Sequence, residues 1–570
     1  MQGGDCSQDG GEGADDSLFS QFSSMSIGGS KSKAEEDTLT SPETSLCESA
    51  FAARLSASSP LPGHHSRLSP VPLPATLKRS DRPPPKPPFC IIYSPSGVDH
   101  NAPNTHRHDH ANENVKYHQE CSERLKLLCD PQRGILRQLE REDGCEFRES
   151  AAAAQIADVL RVHEHSYYEH VKGVCKAAVP RGRLDMDTSI TAASWKASLE
   201  TAGAAISAVD LVAHSAARGA FVAGRPPGHH AGPRGAVPSA GFHDHPDMCS
   251  SGFCLFNNVA IAAAYARYAY GNRRFRRPGS ALLERIAIVD FDIHDGNGTA
   301  DCIRNLVPHK EKLPLPESWA PREISSFAPW LNTNDAENVL FSSIHLFDGN
   351  DFYPGSGAAS ESTSNIINVP LDRIMTAKQK QNAQARHARG DPPTKQELAL
   401  MQKGSDQFRK RVSEILIPTL DAFRPDLIFF SAGFDGHFLD FYHVLTEDDY
   451  AWLTEQVGSI AAKHAQGRMI SLLEGGYHCV RTAPAAAKKV RPTPARAAKR
   501  TRKKTQKGAE YEKEVSSGSS PASLPPSASS SDAKTPPSTP PPGENEDAIA
   551  VVVGGLGTAC LAHVSAMIRV

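Results

Sequence analysis

The chain has 570 residues, of which 39% are hydrophobic, and a formal net charge of −3. This balance excludes a protein that binds nucleic acid through its overall charge. The 12 cysteines form no CxxC pair, which argues against a disulfide framework and against a zinc site with cysteine ligands. The acidic N-terminal sequence lacks the apolar core of a secretory signal, so we expect no such signal.

Composition divides the chain into one globular body and low-complexity segments. Residues 1–88 are rich in Ser, Pro and Gly and are predicted to form a disordered arm. The body is predicted over 89–483. Residues 484–546 are predicted to be a disordered basic and Pro/Ser-rich insertion. Residues 547–570 are predicted to form a C-terminal helix that returns to the body.

This terminal segment has a second reading as a membrane anchor. Ala548–Ile568 contains no Asp, Glu, Lys or Arg and is long enough to span a bilayer. Three glycines, a histidine and two hydroxyl side chains make it a weak span. We therefore expect a helix buried against the body and no contact with a membrane.

Within the body, short apolar runs alternate with helical patterns. The predicted strands are Phe89–Tyr93, Ala220–Ala223, Ile286–Val289, Val339–Ser342, Leu427–Phe430 and Met469–Leu473. The clearest predicted helices are Trp195–Ala216, Asn258–Tyr270 and Glu447–His464. This alternation predicts an α/β fold with a central parallel sheet, and smaller insertions are predicted at 308–336 and 374–405.

A polar cluster follows each of the last five predicted strands. The clusters are GRPPGHHAG (224–232), DFDIHDGNG (290–298), SIHLFDGNDFYPGSG (343–357), SAGFDGH (431–437) and EGGYH (474–478). Because active sites of parallel sheets form at the carboxyl ends of the strands, these five loops are expected to meet at one edge.

The acidic residues of these loops suggest a metal site. Asp290, Asp292 and His294 alternate along the chain and would share one face if it is extended. A divalent metal held by Asp292, His294 and Asp435 would compensate carboxylates that are costly to bury. Three ligands with an open position suit catalytic zinc, although Fe(II) or Co(II) would also fit. The alternative is that these acids cap turns or bind backbone amides.

Aromatic residues in the same loops have two readings each. Phe253, in GFCLFNN, is either core or one wall of an apolar channel, and Tyr353 is the matching candidate for the other wall. Tyr477 follows a Gly-Gly turn, where it either packs or turns its hydroxyl toward an oxyanion.

Taken together and in order, these loops resemble the histone deacetylase family, particularly its class II-like branch. The resemblance extends over about residues 90–480 and the final helix, and it includes YHQECSERL (117–125) and VLRVHEHSYYEHV (159–171). It implies an arginase-like α/β fold with helices on both faces of the sheet. It also implies a zinc-dependent protein lysine deacetylase that uses metal-activated water.

The resemblance implies a role for each matched residue. The zinc ligands are Asp292, His294 and Asp435. His230 is the general base, His229 is its electrostatic partner held by Asp290, and Tyr477 stabilises the oxyanion. The implied substrate-binding residues are Gly252, through its carbonyl, Phe253, Tyr353 and the rim acid Asp187. A structural monovalent cation, usually potassium, is implied near Asp290, Asp292, His294 and Ser343.

Two residues depart from the family pattern. Asp295 replaces a histidine that usually follows the zinc-binding one, so altered surroundings of the site are expected rather than loss of zinc. Tyr353 replaces a residue that is more often Phe, and it should narrow the channel or add a hydrogen bond. Asn297 is usual for the class II-like branch and could orient His230 without a charge.

The resemblance leaves three functions to distinguish. Protein lysine deacetylation, on acetylated histone tails or other acetyl-lysine proteins and within a corepressor complex, is favoured by the long arms. The others are hydrolysis of acetylated polyamines or other small amides, and an inactive acyl-lysine-binding scaffold. The run Lys488–Lys507 holds ten Lys or Arg and predicts a nuclear location with weak nucleic-acid contact; a solvated loop and a cytoplasmic pool are the alternatives.

Overall fold

The computed structural model describes most of the body of the chain. The described residues are 86–101, 119–141, 144–237, 250–312, 322–349, 352–440, 443–479, 481–482, 552–553 and 555–570. The predicted arm, apart from its last three residues, and the predicted insertion 484–546 with its basic run lie outside them.

Eight parallel strands form the central sheet; the parallel arrangement and six of the strands were predicted, whereas Cys145–Glu149 and Ile366–Leu371 were not. They are β1 (Phe89–Tyr93), β2 (Cys145–Glu149), β3 (Gly219–Ala223), β4 (Ile286–Asp290), β5 (Val339–Leu346), β6 (Ile366–Leu371), β7 (Leu427–Ala432) and β8 (Met469–Leu473). Their order across the sheet is β6-β5-β4-β7-β8-β3-β1-β2, and every pairing is parallel. Asp290, at the end of β4, is flanked by Ser343 of β5 and Ser431 of β7.

Helices connect these strands. They are α1 (Glu123–Cys129), α2 (Ile156–Val159), α3 (His165–Ala177), α4 (Ala192–Ala213), α5 (Asn258–Tyr270), α6 (Asn297–Arg304), α7 (Asp335–Asn338), α8 (Ala377–Ala388), α9 (Lys395–Arg411), α10 (Ile417–Phe423), α11 (Glu447–His464) and α12 (Leu556–Arg569). Helix α4 begins three residues before its predicted start because Thr191 and Ser194 form a capping box there. The predicted bounds of α5 and α11 are confirmed.

Both faces of the sheet are covered, which explains why its strands read as continuous apolar runs rather than alternating ones. Ala220 and Val222 of β3 pack with the α4 and α5 side, whereas Phe221 packs with the side that contains α11 and α12. On α12, His563 is buried between the hydroxyls of Thr454 and Ser471, at 2.6 and 2.9 Å. Across the described ranges, no helix has the length and apolar character that a bilayer crossing requires.

The two stretches predicted as insertions carry structure of their own. His309–Lys312 pairs with Glu323–Ser326 in an antiparallel hairpin. The second stretch forms α8 and the first part of α9, each opened by a threonine capping box. Three further antiparallel pairs have two residues in each strand: Gly182–Arg183 with Ser189–Ile190, Ala231–Gly232 with Gly235–Ala236, and Arg481–Thr482 with Val552–Val553.

Candidate active site

The structure brings all five expected polar loops, after β3, β4, β5, β7 and β8, together at the carboxyl edge of the sheet. Asp292, His294 and Asp435 form a buried group whose candidate ligand atoms all lie within 4.8 Å of one another. The Nδ1 atom of His294 lies 3.0 Å from Asp292 Oδ1 and 3.0 Å from Asp435 Oδ2. Two carboxylates and one imidazole with this convergence suit a divalent metal.

Both carboxylates order the main chain, and Asp292 does so with both oxygens, because its Oδ2 also accepts the N–H of Gly475 at 2.9 Å. Strand β4 ends at Asp290, so Asp292 and His294 lie in a turn and not on the extended chain that their alternation suggests. Asp292 Oδ1 accepts the N–H of His294, and Asp435 Oδ1 accepts that of Ile293. The same carboxylates therefore bind backbone amides and converge as candidate metal ligands, so the two alternatives do not exclude each other.

The remaining oxygen of Asp435 fits a cation. Asp435 is fully buried, and its Oδ2 makes no well-aligned hydrogen bond among the described residues; its nearest polar neighbour there is the ring of His294, whose Nδ1 lies 3.0 Å away. Burial and the neighbouring charge of Asp292 raise the pKa of Asp435. Two buried carboxylates that share one imidazole nitrogen are incompletely compensated, and a bound cation would reduce that cost.

The adjacent histidines have different partners, although their rings are only 4.0 Å apart. The Nδ1 atom of His229 lies 2.9 Å from the Asp290 carboxylate, whereas that of His230 lies 2.8 Å from the Asn297 amide oxygen. Burial opposes a charge on His229, but Asp290 and Asp292 raise its pKa well above the usual value. Burial and the charge of His229 hold the pKa of His230 well below it, which favours a neutral ring.

Glu474, which was not among the predicted site residues, orders the loop that carries the two histidines. Its Oε2 accepts the main-chain N–H groups of Gly228 and His229 at 2.7 and 3.2 Å. Its Oε1 accepts the hydroxyl of Ser431 at 2.9 Å. Burial raises the pKa of Glu474. Its place directly after the buried strand β8 was the available sequence signal.

A second buried carboxylate, Glu120, supports the same loop from the motif YHQECSERL. Its Oε2 accepts from Arg225 Nη2 at 2.6 Å and from Asn101 Nδ2 at 3.0 Å, and its Oε1 accepts from Arg124 at 3.2 Å. Both arginines and Glu120 are fully buried. Burial alone would raise the pKa of Glu120, but the charge of Arg225 holds it well below its usual range.

Substitution of Glu120 by glutamine is expected to destabilise the fold by about 3–5 kcal/mol, because it leaves buried arginines uncompensated. The pKa of Glu120 is lower in the folded protein than in the unfolded chain. The stabilisation by its carboxylate is therefore complete above the ordinary Glu pKa of about 4.3 and is lost as the pH falls below that value. Urea unfolding between pH 7 and 3.5 measures both effects. The control is Glu123→Gln, whose side chain is 58% exposed; equal stability losses in the two variants would contradict the assignment.

Tyr477 and Phe253 lie on one side of the cluster. Their rings pack edge to face with centroids 5.8 Å apart, and the guanidinium of Arg124 lies 5.1 Å from the Tyr477 ring centre. Arg124 Nε also donates to the carbonyl of Gly476 at 2.7 Å. Phe253 has a left-handed backbone, with φ of 71°.

Tyr353 lies against the histidines rather than against Phe253. Its ring centre is 5.0 Å from that of His230 and 6.1 Å from that of His294. The neighbouring Phe352 stacks on His294 with centroids 4.9 Å apart. The Tyr353 hydroxyl donates to the carbonyl of Ser250 at 2.7 Å. The hydrogen bond expected from a tyrosine at this position is therefore present.

The loop that bears Gly252 approaches His230 closely. Gly252 has φ of 50°, and a Cβ atom there would lie 2.4 Å from His230 Cδ2, so a larger residue would clash. Ser250 Oγ accepts the N–H of Gly252 at 2.9 Å. The same hydroxyl donates to Asp187, which is exposed. The structure thus links the predicted rim acid to the loop of Gly252 and Phe253.

Ser343 and Asp295 lie on the β5 side of the site. The Ser343 hydroxyl is 2.9 Å from His345 Nδ1 and accepts the N–H of Gly296 at 3.4 Å. Asp295 is buried, accepts the Ser356 hydroxyl at 2.5 Å, and has its other oxygen 3.6 Å from His345 Nδ1. The carboxylate of Asp295, which differs from the family pattern, therefore has one hydroxyl donor, whereas its Oδ1 makes no hydrogen bond among the described residues.

Comparison with known proteins agrees with this geometry. A model of the histone deacetylase domain matches residues 118–492. Type-2 histone deacetylase 2 of Dictyostelium discoideum is 34% identical over 307 residues, which are 52% of this chain and 14% of that protein. The histone deacetylase-like amidohydrolase of Pseudomonas aeruginosa is 29% identical over 335 residues, 58% of this chain and 65% of that protein.

A plant relative extends the match. Histone deacetylase 14, chloroplastic, of Arabidopsis thaliana is 28% identical over 389 residues, 64% of this chain and 70% of that protein. The chain spans only 14% and 19% of the two Dictyostelium type-2 histone deacetylases that it matches. The family model covers more than half of the chain, and the parallel sheet has the arginase-like α/β arrangement. The chain therefore belongs to the histone deacetylase family of deacetylases and amidohydrolases.

Proposed function

We propose that this chain is a zinc-dependent protein lysine deacetylase. The observation that carries the proposal is the buried convergence of Asp292, His294 and Asp435 beside two histidines with different partners. A bound zinc ion would polarise the amide carbonyl and acidify a water molecule at the site. A structural potassium ion would be held near Asp290, Asp292, His294 and Ser343.

The two histidines divide the proton chemistry. Neutral His230, oriented by the Asn297 amide, accepts a proton from the attacking water and returns it to the leaving lysine amine. His229 is held by the Asp290 carboxylate, so it supplies positive charge beside the reacting atoms. The hydroxyl of Tyr477 donates a hydrogen bond to the oxyanion. One such donor typically lowers the activation free energy by about 2.7–4 kcal/mol.

The aromatic residues are proposed to bind the aliphatic part of the substrate lysine. In this proposal Phe253, which packs on Tyr477, and Tyr353, which packs on His230, would enclose the apolar stem of a neutralised lysine. The carbonyl of Gly252 would accept the substrate amide N–H, and Asp187 would hold the substrate backbone at the rim. The Tyr353–Ser250 hydrogen bond joins the loop of Tyr353 to the loop of Gly252 and Phe253, and it would limit the width of such a channel.

Turnover of two substrates separates this function from its alternatives. An acetyl-lysine peptide should be hydrolysed with a higher kcat/KM than an acetylated polyamine by the zinc-loaded protein. The reverse preference would favour a small-amide hydrolase, to which one amidohydrolase relative lends weight. Bound zinc without turnover of either substrate would instead favour an acyl-lysine-binding scaffold.

The proposed partners follow from this chemistry and from the basic run. They are acetylated histone tails or other acetyl-lysine proteins, a corepressor complex that serves chromatin repression, and weak nucleic-acid phosphate contact through 488–507. We place the protein in the nucleus, with a cytoplasmic pool as the alternative. Replacing the basic residues of 499–504 with alanine should shift a fluorescent fusion to the cytoplasm. An unchanged distribution would exclude this signal.

A further inference from the structure

A buried turn contacts the main chain of Tyr477. The turn consists of residues 437–440, and it follows the loop that carries Asp435. Asp440 is fully buried. Its Oδ2 accepts the main-chain N–H of Tyr477 at 2.6 Å and that of His478 at 3.0 Å. One carboxylate oxygen therefore orders the backbone from which the Tyr477 side chain projects.

Helix α8 holds this turn through two side chains. Lys380 Nζ donates to the carbonyls of His437 and Phe438 at 3.2 and 2.7 Å. Gln384 Nε2 donates to the carbonyls of Leu439 and Asp440, both at 3.2 Å. Lys380 and Gln384 are four residues apart, so they share one face of the helix. That face satisfies four consecutive carbonyls of the turn.

The contact between Lys380 and the turn requires burial of an ammonium group, which costs free energy. This cost argues against an incidental surface arrangement. Lys380 is only 3% exposed, and burial lowers its pKa to about 7, although the charge of Asp440 opposes this shift. A lysine on a helix surface ordinarily extends its ammonium group into water. Here the ammonium group is turned inward onto main-chain oxygens.

Apolar packing joins the helix and the turn into one unit. Met375 and Ala383 form a small core with Phe438, Leu439 and Val444, separate from the two large cores on the faces of the sheet. The turn is therefore packed mainly against the stretch predicted as an insertion. A displacement of α8 would displace the turn and, through Asp440, the main chain of Tyr477.

We propose that Lys380 and Gln384 are positioning residues for Tyr477, acting through the turn 437–440 and the carboxylate of Asp440. The inference rests on the proposed function, in which the Tyr477 hydroxyl stabilises the oxyanion. On this inference, α8 has a role in the active site, because it holds the turn that orders the main chain of Tyr477.

The kinetic test uses Lys380→Met, which keeps the length of the stem and removes the donors. With zinc-loaded protein and an acetyl-lysine peptide, kcat should fall by about ten- to a hundredfold with little change in KM, because small misplacements of catalytic groups have effects of this size. Gln384→Leu should also lower kcat with little change in KM. The matched controls are Lys378→Met and Gln381→Leu, exposed positions on the same helix, which should retain the parental kcat.

Combination with Tyr477→Phe separates positioning from a general structural role. Tyr477→Phe alone should lower kcat by about 10²–10³-fold. In that background Lys380→Met should lower kcat by less than twofold more, because the hydroxyl that it positions is gone. Losses that multiply in the double variant would overturn the inference. An unchanged kcat in Tyr477→Phe would instead overturn the oxyanion role in the proposed function.

Amide hydrogen exchange gives a readout that needs no turnover. In Lys380→Met, the peptide that contains the N–H groups of Tyr477 and His478 should exchange at least tenfold faster than in the parent, while peptides of β4 should not change. If Lys380→Met does not fold, Gln384→Leu is used for the same measurement. Unchanged exchange in folded variants would overturn the inference, even in a protein that lacks deacetylase activity.

Discussion

Substitution of Asp435 by alanine is expected to lower zinc affinity by more than about 100-fold, because even outer-shell changes cost 10- to 100-fold. The Oδ2 of Asp435 is buried and, in the described part of the chain, faces only the His294 nitrogen that Asp292 shares, so we assign a cation to it as a further partner. Deacetylase activity should disappear with the metal. The measurement is zinc per chain after dialysis, together with kcat on an acetyl-lysine peptide.

The control for this experiment is Asp406→Ala, an exposed carboxylate on α9 that should leave zinc content and kcat unchanged. Full zinc occupancy in Asp435→Ala would remove this residue from the ligand set. Because Asp435 Oδ1 also accepts the N–H of Ile293, thermal unfolding should accompany the measurement. A folded, zinc-free variant is the expected result.

Substitution of His230 by alanine should have the opposite pattern: zinc is retained, and turnover is lost. Its Nδ1 contacts an amide oxygen rather than a carboxylate, and burial beside His229 keeps the ring neutral. Loss of a general acid–base typically lowers the rate by about 10²–10⁴-fold. We expect a loss of this size in kcat.

Zinc content decides between the two roles that paired histidines can have. If His230→Ala loses zinc in the same measure as Asp435→Ala, His230 is a ligand and the proton-transfer assignment is wrong. The matched control is His214→Ala, an exposed histidine at the end of α4. That variant should keep both zinc and kcat.

Much of the site could be found from the sequence because its residues lie in short loops after apolar strands. The parallel sheet makes the carboxyl ends of those strands neighbours, so Asp292, His294 and Asp435 meet although 143 positions separate the first from the last. Local order was harder to predict. The alternation of Asp290, Asp292 and His294 suggested an extended chain, whereas the strand ends at Asp290 and a turn presents the ligands.

The buried supports of the site were not predictable in the same way. Glu120 and Arg225 are far apart in sequence, and nothing in the local pattern around either residue indicates that they pair in the core. No sequence motif singles out Asp440, whose carboxylate accepts the main-chain N–H of Tyr477. Such partners are set by the packing of separate elements, which periodicity does not encode.

The sequence by itself determined six of the eight strands, the edge of the sheet where the polar loops meet, and the family, because apolar runs and short motifs are local properties of the chain. Only the tertiary structure decided which oxygen of each carboxylate faces the site, which buried charges pair, and that α8 supports Tyr477. These depend on distances between residues remote in sequence. For α8 the reason is specific: a lysine in a polar helix reads as solvated, and only packing turned Lys380 inward onto the turn 437–440.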